Sequence, residues 1–237
     1  MVERLICILI GYCCGLVQTG YLYGKLRGMD IRTVGSGNAG TTNMLRTFGV
    51  KAGVVTLLCD ALKTIVAIQI AVFLFGSRNP EIVPLLKVYA AAGAILGHDF
   101  PFFMHFKGGK GIAATAGLVI GFFDPLLFIL GFVTFFGIFF TTHYVSLGSL
   151  MVWVGLVIEF IVMGQTGWRE FAVMDQAHLI EMYIIMFLLG ALAFWQHRTN
   201  IQRLLQGKER HTYLNHEKNQ EEAERFKKLT QLDSKSN

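Results

Sequence analysis

The chain has 237 residues, of which 53% are hydrophobic and 16% charged, with a formal net charge of +5. Soluble domains carry about a quarter charged residues, so this composition excludes an ordinary soluble protein, and the small positive excess does not point to nucleic-acid binding. That excess sits in loops: Gly24 to Lys51 holds five basic residues and one acid, while the tail from Gly207 is nearly balanced, with seven Lys/Arg against six Asp/Glu.

Apolar runs near the ~20-residue length that crosses a bilayer predict an all-α polytopic membrane protein. The expected spans, about seven, run over 3–23, 50–76, 83–103, 111–123, 125–141, 145–164 and 180–196. The first span has only Arg4 beside Glu3 as an n-region and no small-x-small cleavage site, so it reads as a retained helix rather than a signal peptide. The fourth is short and ends at Asp124-Pro125, because proline disfavours helix in the residue before it. Counting 111–141 as two helices puts Lys25, Arg27, Arg32, Arg46, Lys51, Lys107, Lys110, Arg198 and Arg203 on one face, against Arg4, Arg78, Lys87 and Arg169 on the other. The excess of basic residues marks the first face as cytoplasmic and the N-terminus as extracytoplasmic. Residues 1–206 form the expected membrane domain. The tail, 207–237, is charged, with a helix over 217–232 and no expected chemistry.

Cys7, Cys13, Cys14 and Cys59 lie in apolar context without ligand spacing, so neither metal nor disulfide is expected. Asp60 and Lys63 lie inside the second span. Charges at such depth are costly and usually paired, so an i,i+3 ion pair that fixes helix packing is expected, with orientation of the glycine loop as the functional alternative.

Three polar glycine-bearing blocks interrupt the apolar chain: GSGNAGTTN at 35–43 with Arg46 following, GHDFP at 97–101 running into KGGKG at 107–111, and HRTNIQR at 197–203. Irregular backbone at a membrane must line a protected or wet cavity, because hydrocarbon cannot solvate free N–H and C=O groups. The first block matches G-x-G-x-x-G, but a dinucleotide fingerprint needs a preceding strand, and here an apolar span and a basic loop precede it. It reads instead as an anion nest: Gly37 and Gly40 allow close approach, Ser36, Thr41, Thr42 and Asn43 add donors with Asn38 a further binding candidate, a helix opening near Thr41 adds its positive end, and Arg46 offers a planar fork. Lys107-Gly108-Gly109-Lys110 resembles half a Walker A loop, but Met104 and Gly111 stand where glycine and Ser/Thr are needed, so an NTPase is excluded. The alternative to an oxyanion loop is a pair of membrane-surface lysines. A helix starting at about Gly111 would point its dipole at the same place. His98 alone is as easily a polar cap. His197, Asn200 and Arg203 recur every three residues and share one helical face. Ser146, in a turn between two spans on the same side, can reach the site.

Taken together, the blocks resemble the three cytoplasmic motifs of the bacterial acyl-phosphate:glycerol-3-phosphate acyltransferases, over nearly the whole chain before the tail. The similar residues are GSGNxGxTNxxR at 35–46, GHxFP…FKGGKG at 97–111 and HRxNIxRLxxGxE at 197–209. Departures are Gln196 and His143, where many relatives carry arginine, and Thr64, where glycine is usual. The resemblance implies a seven-helix inner-membrane enzyme. It implies transfer of a fatty acyl group from acyl phosphate to the sn-1 hydroxyl of glycerol 3-phosphate, giving lysophosphatidate and inorganic phosphate, with no cofactor or metal and with membrane lipid as surroundings. Carried over, the functional positions are Ser36, Arg46, His98, the Lys107/Lys110 loop, His197 and Asn200.

The expected mechanism is direct attack by the glycerol hydroxyl on the acyl carbon. Ser36 or His197 is the candidate donor to the oxyanion, and His98 or the acyl phosphate itself the candidate proton acceptor. The competing class is a transporter or flippase of phosphate esters, which predicts a midplane site between related halves; the motifs instead mass on one face.

Overall fold

The computed structural model describes the backbone of residues 1–233 and the side chains of 1–228. The helices are α1 Val2–Gly15, α2 Thr19–Leu26, α3 Thr41–Phe48, α4 Val50–Phe75, α5 Val83–Asp99, α6 Ile112–Gly121, α7 Pro125–Thr142, α8 Val145–Thr166, α9 Gln176–Gln196, α10 Arg198–Leu205 and α11 His216–Asp233. There is no strand among the described residues, in keeping with the rejection of a dinucleotide fold. The last four residues of the expected tail lie outside the described residues.

Among the described residues, six stretches are long and apolar enough to cross a membrane: Val2–Leu26, Val50–Phe75, Pro80–Met104, Pro125–Thr142, Val145–Thr166 and Gln176–Gln196. The fourth expected span is corrected to the ten-residue α6, which is about 15 Å long. Beyond it the Phe122 ring packs on Phe160 and Phe171, at 5.1 and 5.9 Å, and Lys87 from the start of α5 lies over its face. Asp124 then caps α7 by accepting from the Leu126 and Leu127 amides, and accepts from the Trp168 indole just past the end of α8.

The first span also differs from the single helix expected. It breaks between α1 and α2 at residues 16–18, and the freed backbone is satisfied by side chains. Gln18 donates to the carbonyls of Gly15, Gly97 and His98, and Lys63 donates to Val17. A break within a span is tolerated only where such partners exist.

α5 is the central helix, with Leu85, Val88, Ala90, Ala91 and Ala94 fully buried. It lies against α1 at glycine spacing. A Cβ on Gly11 would stand 2.0 Å from the Ala90 carbonyl oxygen, and on Gly15 2.3 Å from that of Ala94. On the other side, a Cβ on Gly93 would meet the Ile8 oxygen at 2.2 Å and on Gly97 the Tyr12 oxygen at 2.3 Å. Two small-xxx-small faces therefore meet backbone to backbone, the device that brings membrane helices closest. Gly11→Val is expected to push α1 off α5 and lower the melting temperature in detergent by several degrees, or abolish folding. An unchanged thermal transition would contradict the contact.

The outer faces of α4, α7, α8 and α9 expose large apolar side chains such as Phe73 (86% exposed), Leu62, Phe132, Val133, Ile184 and Phe187. A protein in water does not tolerate such surface; here it is the lipid-facing side of a multi-pass membrane protein.

Candidate active site

The first polar block folds as a loop entering α3. Gly35 and Gly37 take φ of +64° and +70°, conformations that glycine adopts without steric cost. Asn43, expected as a ligand, is the loop's internal staple: its Nδ2 donates to the carbonyls of Ile31, Val34 and Asn38, and its Oδ1 accepts from the Ser36 amide. Asn38 caps the Gly40 amide and reaches the Gly108 carbonyl at 3.5 Å, so the first and second blocks touch. Ser36 and Gly37 are exposed at the loop's tip. α3 opens at Thr41, as expected, and the Thr41 hydroxyl oxygen is buried there without a hydrogen-bond partner.

The second block is held from below by α5. The Gly108 and Gly109 amides donate to the carbonyls of Asp99 and His98, each at 3.0 Å. A Cβ on Gly108 would come within 2.0 Å of the His98 oxygen, and one on Gly109 within 1.9 Å of His98 Nε2. His98 is thus the floor of the lysine loop and is 2% exposed. Its Nδ1 faces Lys63 Nζ at 2.8 Å, and Lys63 also donates to Asp60 at 2.9 Å and Val17 at 2.7 Å. An ammonium has three protons and no acceptor, so all three are used and the imidazole proton sits on Nε2. The expected Asp60–Lys63 pair is present, further tied to Thr19, but it steadies the lysine loop through His98 rather than the glycine loop. Of the two lysines, Lys107 is exposed and Lys110 turns inward to donate to Asn200. α6 begins just after Gly111, with its N-terminus toward this loop.

The third block begins where α9 ends. His197 is 4% exposed, and its Nδ1 donates to the Ala193 carbonyl at 2.8 Å. Burial, then the nearby Lys110 charge, pushes its pKa down to about 4. A neutral ring with its proton on Nδ1 presents Nε2 as an acceptor, not as the oxyanion donor expected. One helical turn on, Asn200 and Arg203 share a face as expected. Both donate to the Glu209 carboxylate, at 2.7 and 2.8 Å, and Ser146 at the start of α8 donates to it at 3.1 Å. Glu209 stands in the similar motif but was not singled out as a site residue; the acidic centre of a cationic cluster has no periodic signature.

Arg46 rises from α3 toward the same region and donates to Thr212 Oγ1 and to the carbonyls of Arg210 and His211. The cations feel one another. Burial, then Arg203, lowers the Lys110 pKa to about 8, with Arg46 and Arg198 adding to the shift. Burial, then Arg210, lowers that of Arg46. Among the described residues, Glu209 is the carboxylate bonded to Asn200, Arg203 and Ser146. Partly desolvated like charges with so little compensation form a site for an anion.

A family model described as glycerol-3-phosphate acyltransferase matches residues 5–207. The chain belongs to the glycerol-3-phosphate acyltransferase family. It is an acyltransferase, as its motifs implied. Among its relatives, the glycerol-3-phosphate acyltransferase of Clostridioides difficile (strain 630) is 38% identical over 208 residues, 87% of this chain and 94% of that one. That of Bacillus subtilis (strain 168) is 38% identical over 200 residues, 84% and 92% of the two chains. The crystal structure of PlsY (YgiH), an integral membrane glycerol 3-phosphate acyltransferase, in its glycerol 3-phosphate form, aligns with TM-score 0.71 and 33% identity over 89% of this chain and 95% of that one. Its lysphosphatidic acid form aligns with TM-score 0.70 and 31% identity.

Proposed function

We propose that this acyltransferase resides in the bacterial inner membrane and moves a fatty acyl group from acyl phosphate to the sn-1 hydroxyl of glycerol 3-phosphate. The products are lysophosphatidate and inorganic phosphate. The observation that carries the reading is the meeting of Lys110, Asn200, Arg203 and Ser146, drawn from three separate stretches of chain, at one end of the bundle beside the glycine loop. Both substrates bear phosphate, and this end of the molecule concentrates cations and amide donors. The motif face and the tail are on the cytoplasmic side and the N-terminus is outside, with seven crossings when α6 and the segment to Asp124 count as one. The excess of basic residues on the motif face supports that orientation, and the packing of Phe122 on Lys87 at the opposite end of α5 supports the seventh crossing.

Acyl phosphate is a mixed anhydride and already activated. The sn-1 oxygen attacks the acyl carbonyl carbon; the tetrahedral intermediate collapses with cleavage of the bond to the phosphate oxygen; the hydroxyl proton leaves on the departing phosphate. The Ser36 side chain, with Arg46, holds one phosphate, and Lys110, with Asn200 and Ser146, holds the other. His197 Nε2 accepts a hydrogen bond from the glycerol hydroxyl and orients it. His98, buried beneath Gly109, supports the lysine loop, which leaves the phosphate as the proton acceptor. Purified protein given palmitoyl phosphate and glycerol 3-phosphate is expected to release phosphate and lysophosphatidate in equal amounts, and to give no product from palmitoyl-CoA. Turnover with the thioester alone would overturn the donor assignment.

A further inference from the structure

The family match ends at residue 207, yet the chain beyond it returns to the site. We propose that the segment from Arg210 to Phe226 is a positioning brace that aims Arg46 at a substrate phosphate, with Thr212 as its central residue. This rests on the reading of Arg46 as a phosphate ligand.

Arg46 makes all these contacts along one edge of its guanidinium. Nε donates to Thr212 Oγ1 at 3.1 Å; Nη2 donates to the same oxygen at 2.6 Å, to the Arg210 carbonyl at 2.9 Å and to that of His211 at 3.3 Å. A guanidinium is a rigid planar fork, so fixing the Nε/Nη2 edge fixes the direction of Nη1. A hydroxyl has two lone pairs, and Thr212 gives both to this one arginine.

The brace is itself anchored. The Thr212 amide donates to the His143 carbonyl at 2.9 Å, in the turn between α7 and α8 that leads to Ser146. His211 stacks on Tyr144 at 4.6 Å, and Tyr213 meets the His143 ring at 4.7 Å. Asn219, at the start of α11, accepts from the Tyr213 amide and donates to its carbonyl, while Glu222 accepts from the His211 amide and pairs with Arg225. Arg203 lies over the Phe226 ring. Thr212 and Asn219 are each 1% exposed. With Thr212, Asn219 and Glu222 buried and hydrogen-bonded, the segment is a fixed wall rather than a strap that lifts as substrate enters. It connects the helix of the glycine loop, the turn that carries Ser146 and the helix of Asn200 and Arg203.

The test uses the full-length protein with Thr212→Val, Thr212→Ser, Asn219→Ala and Arg46→Lys. Thr212→Val is expected to raise KM roughly tenfold for the same phosphate-bearing substrate whose KM Arg46→Lys raises, with kcat within about twofold and the melting temperature little changed. Thr212→Ser, which keeps the hydroxyl, restores the KM; Asn219→Ala, which loosens the brace away from the arginine, raises it less than Thr212→Val does. Combined with Arg46→Lys, the Thr212→Val effect should largely vanish, since the two act as one unit. An unchanged KM in Thr212→Val beside a raised one in Arg46→Lys sinks the brace alone. A KM that falls in Thr212→Val also overturns it, because the tail would then compete with substrate. Unchanged KM values in Arg46→Lys sink the reading of Arg46, whatever Thr212→Val does.

Discussion

Lys110→Met is expected to lower kcat/KM by ~10²–10³-fold, the cost of removing one preorganised donor to developing or transferred charge. Lys110 is the lysine of its loop that turns into the site, and it is bonded to Asn200. Methionine keeps most of the apolar stem and removes the charge together with the bond to Asn200. The pH dependence gives a second signature. Burial and the neighbouring arginines hold the Lys110 ammonium down to about 8, so the charged form is full below that pH and is lost as pH rises through it. The kcat/KM profile should therefore fall on its alkaline side near pH 8, since that quantity reports the free enzyme. Bound phosphate favours the ammonium, so the limb in kcat lies higher. Lys110→Arg, whose charge persists to far higher pH, should remove the alkaline fall even where its turnover is poorer. An alkaline limb that stays in place in both variants would assign the titration to another group.

Gly109→Ala is the second large effect. The added Cβ would lie 1.9 Å from His98 Nε2, and the ring cannot swing aside, because Lys63 holds its other nitrogen at 2.8 Å. The loop must move instead, carrying Lys110 out of register. A displacement of about 1 Å near a reacting centre costs on the order of a hundredfold in rate. The double variant Gly109→Ala with His98→Ala removes the obstruction and is expected to recover much of that loss. Gly108→Ala is the control: its Cβ would strike the His98 carbonyl at 2.0 Å, which His98→Ala leaves in place, so no recovery should follow. If the second substitution rescues neither glycine variant and by itself abolishes turnover with binding intact, His98 is the proton acceptor and the support role assigned to it is wrong.

The pattern of these residues explains what could be read from the chain. Six of the expected spans were legible because lipid imposes length and composition on each segment independently of its neighbours. The start of α3 at Thr41, the start of α6 after Gly111 and the shared face of Asn200 and Arg203 were legible because each follows from local spacing. What escaped depends on residues remote in sequence. The break at 16–18 is stable only because Gln18 and Lys63 satisfy it together with α5, so no local signal announces it. Asn43 has the chemistry of a ligand, and only the folded loop reveals that its whole amide is spent on Ile31, Val34, Ser36 and Asn38. The Asp60–Lys63 pair was apparent from i,i+3 spacing, whereas its third member, His98, lies on another helix. The docking of the tail had no local signal for the same reason: α11 has a polar composition, and the buried residues of the segment are Thr212, Asn219 and Glu222 rather than an apolar stripe.

The glycine-to-glycine contact of α1 with α5 also constrains how the protein is made. Gly11 and Gly93 are separated by about 80 residues, which a ribosome takes roughly 4–16 s to add at ~5–20 residues per second. Throughout that interval the N-terminal helix exists without the partner whose backbone it will touch. Its row of small residues lacks its native cover until the third long span arrives, so α1 and α4 wait together for the helix that centres them.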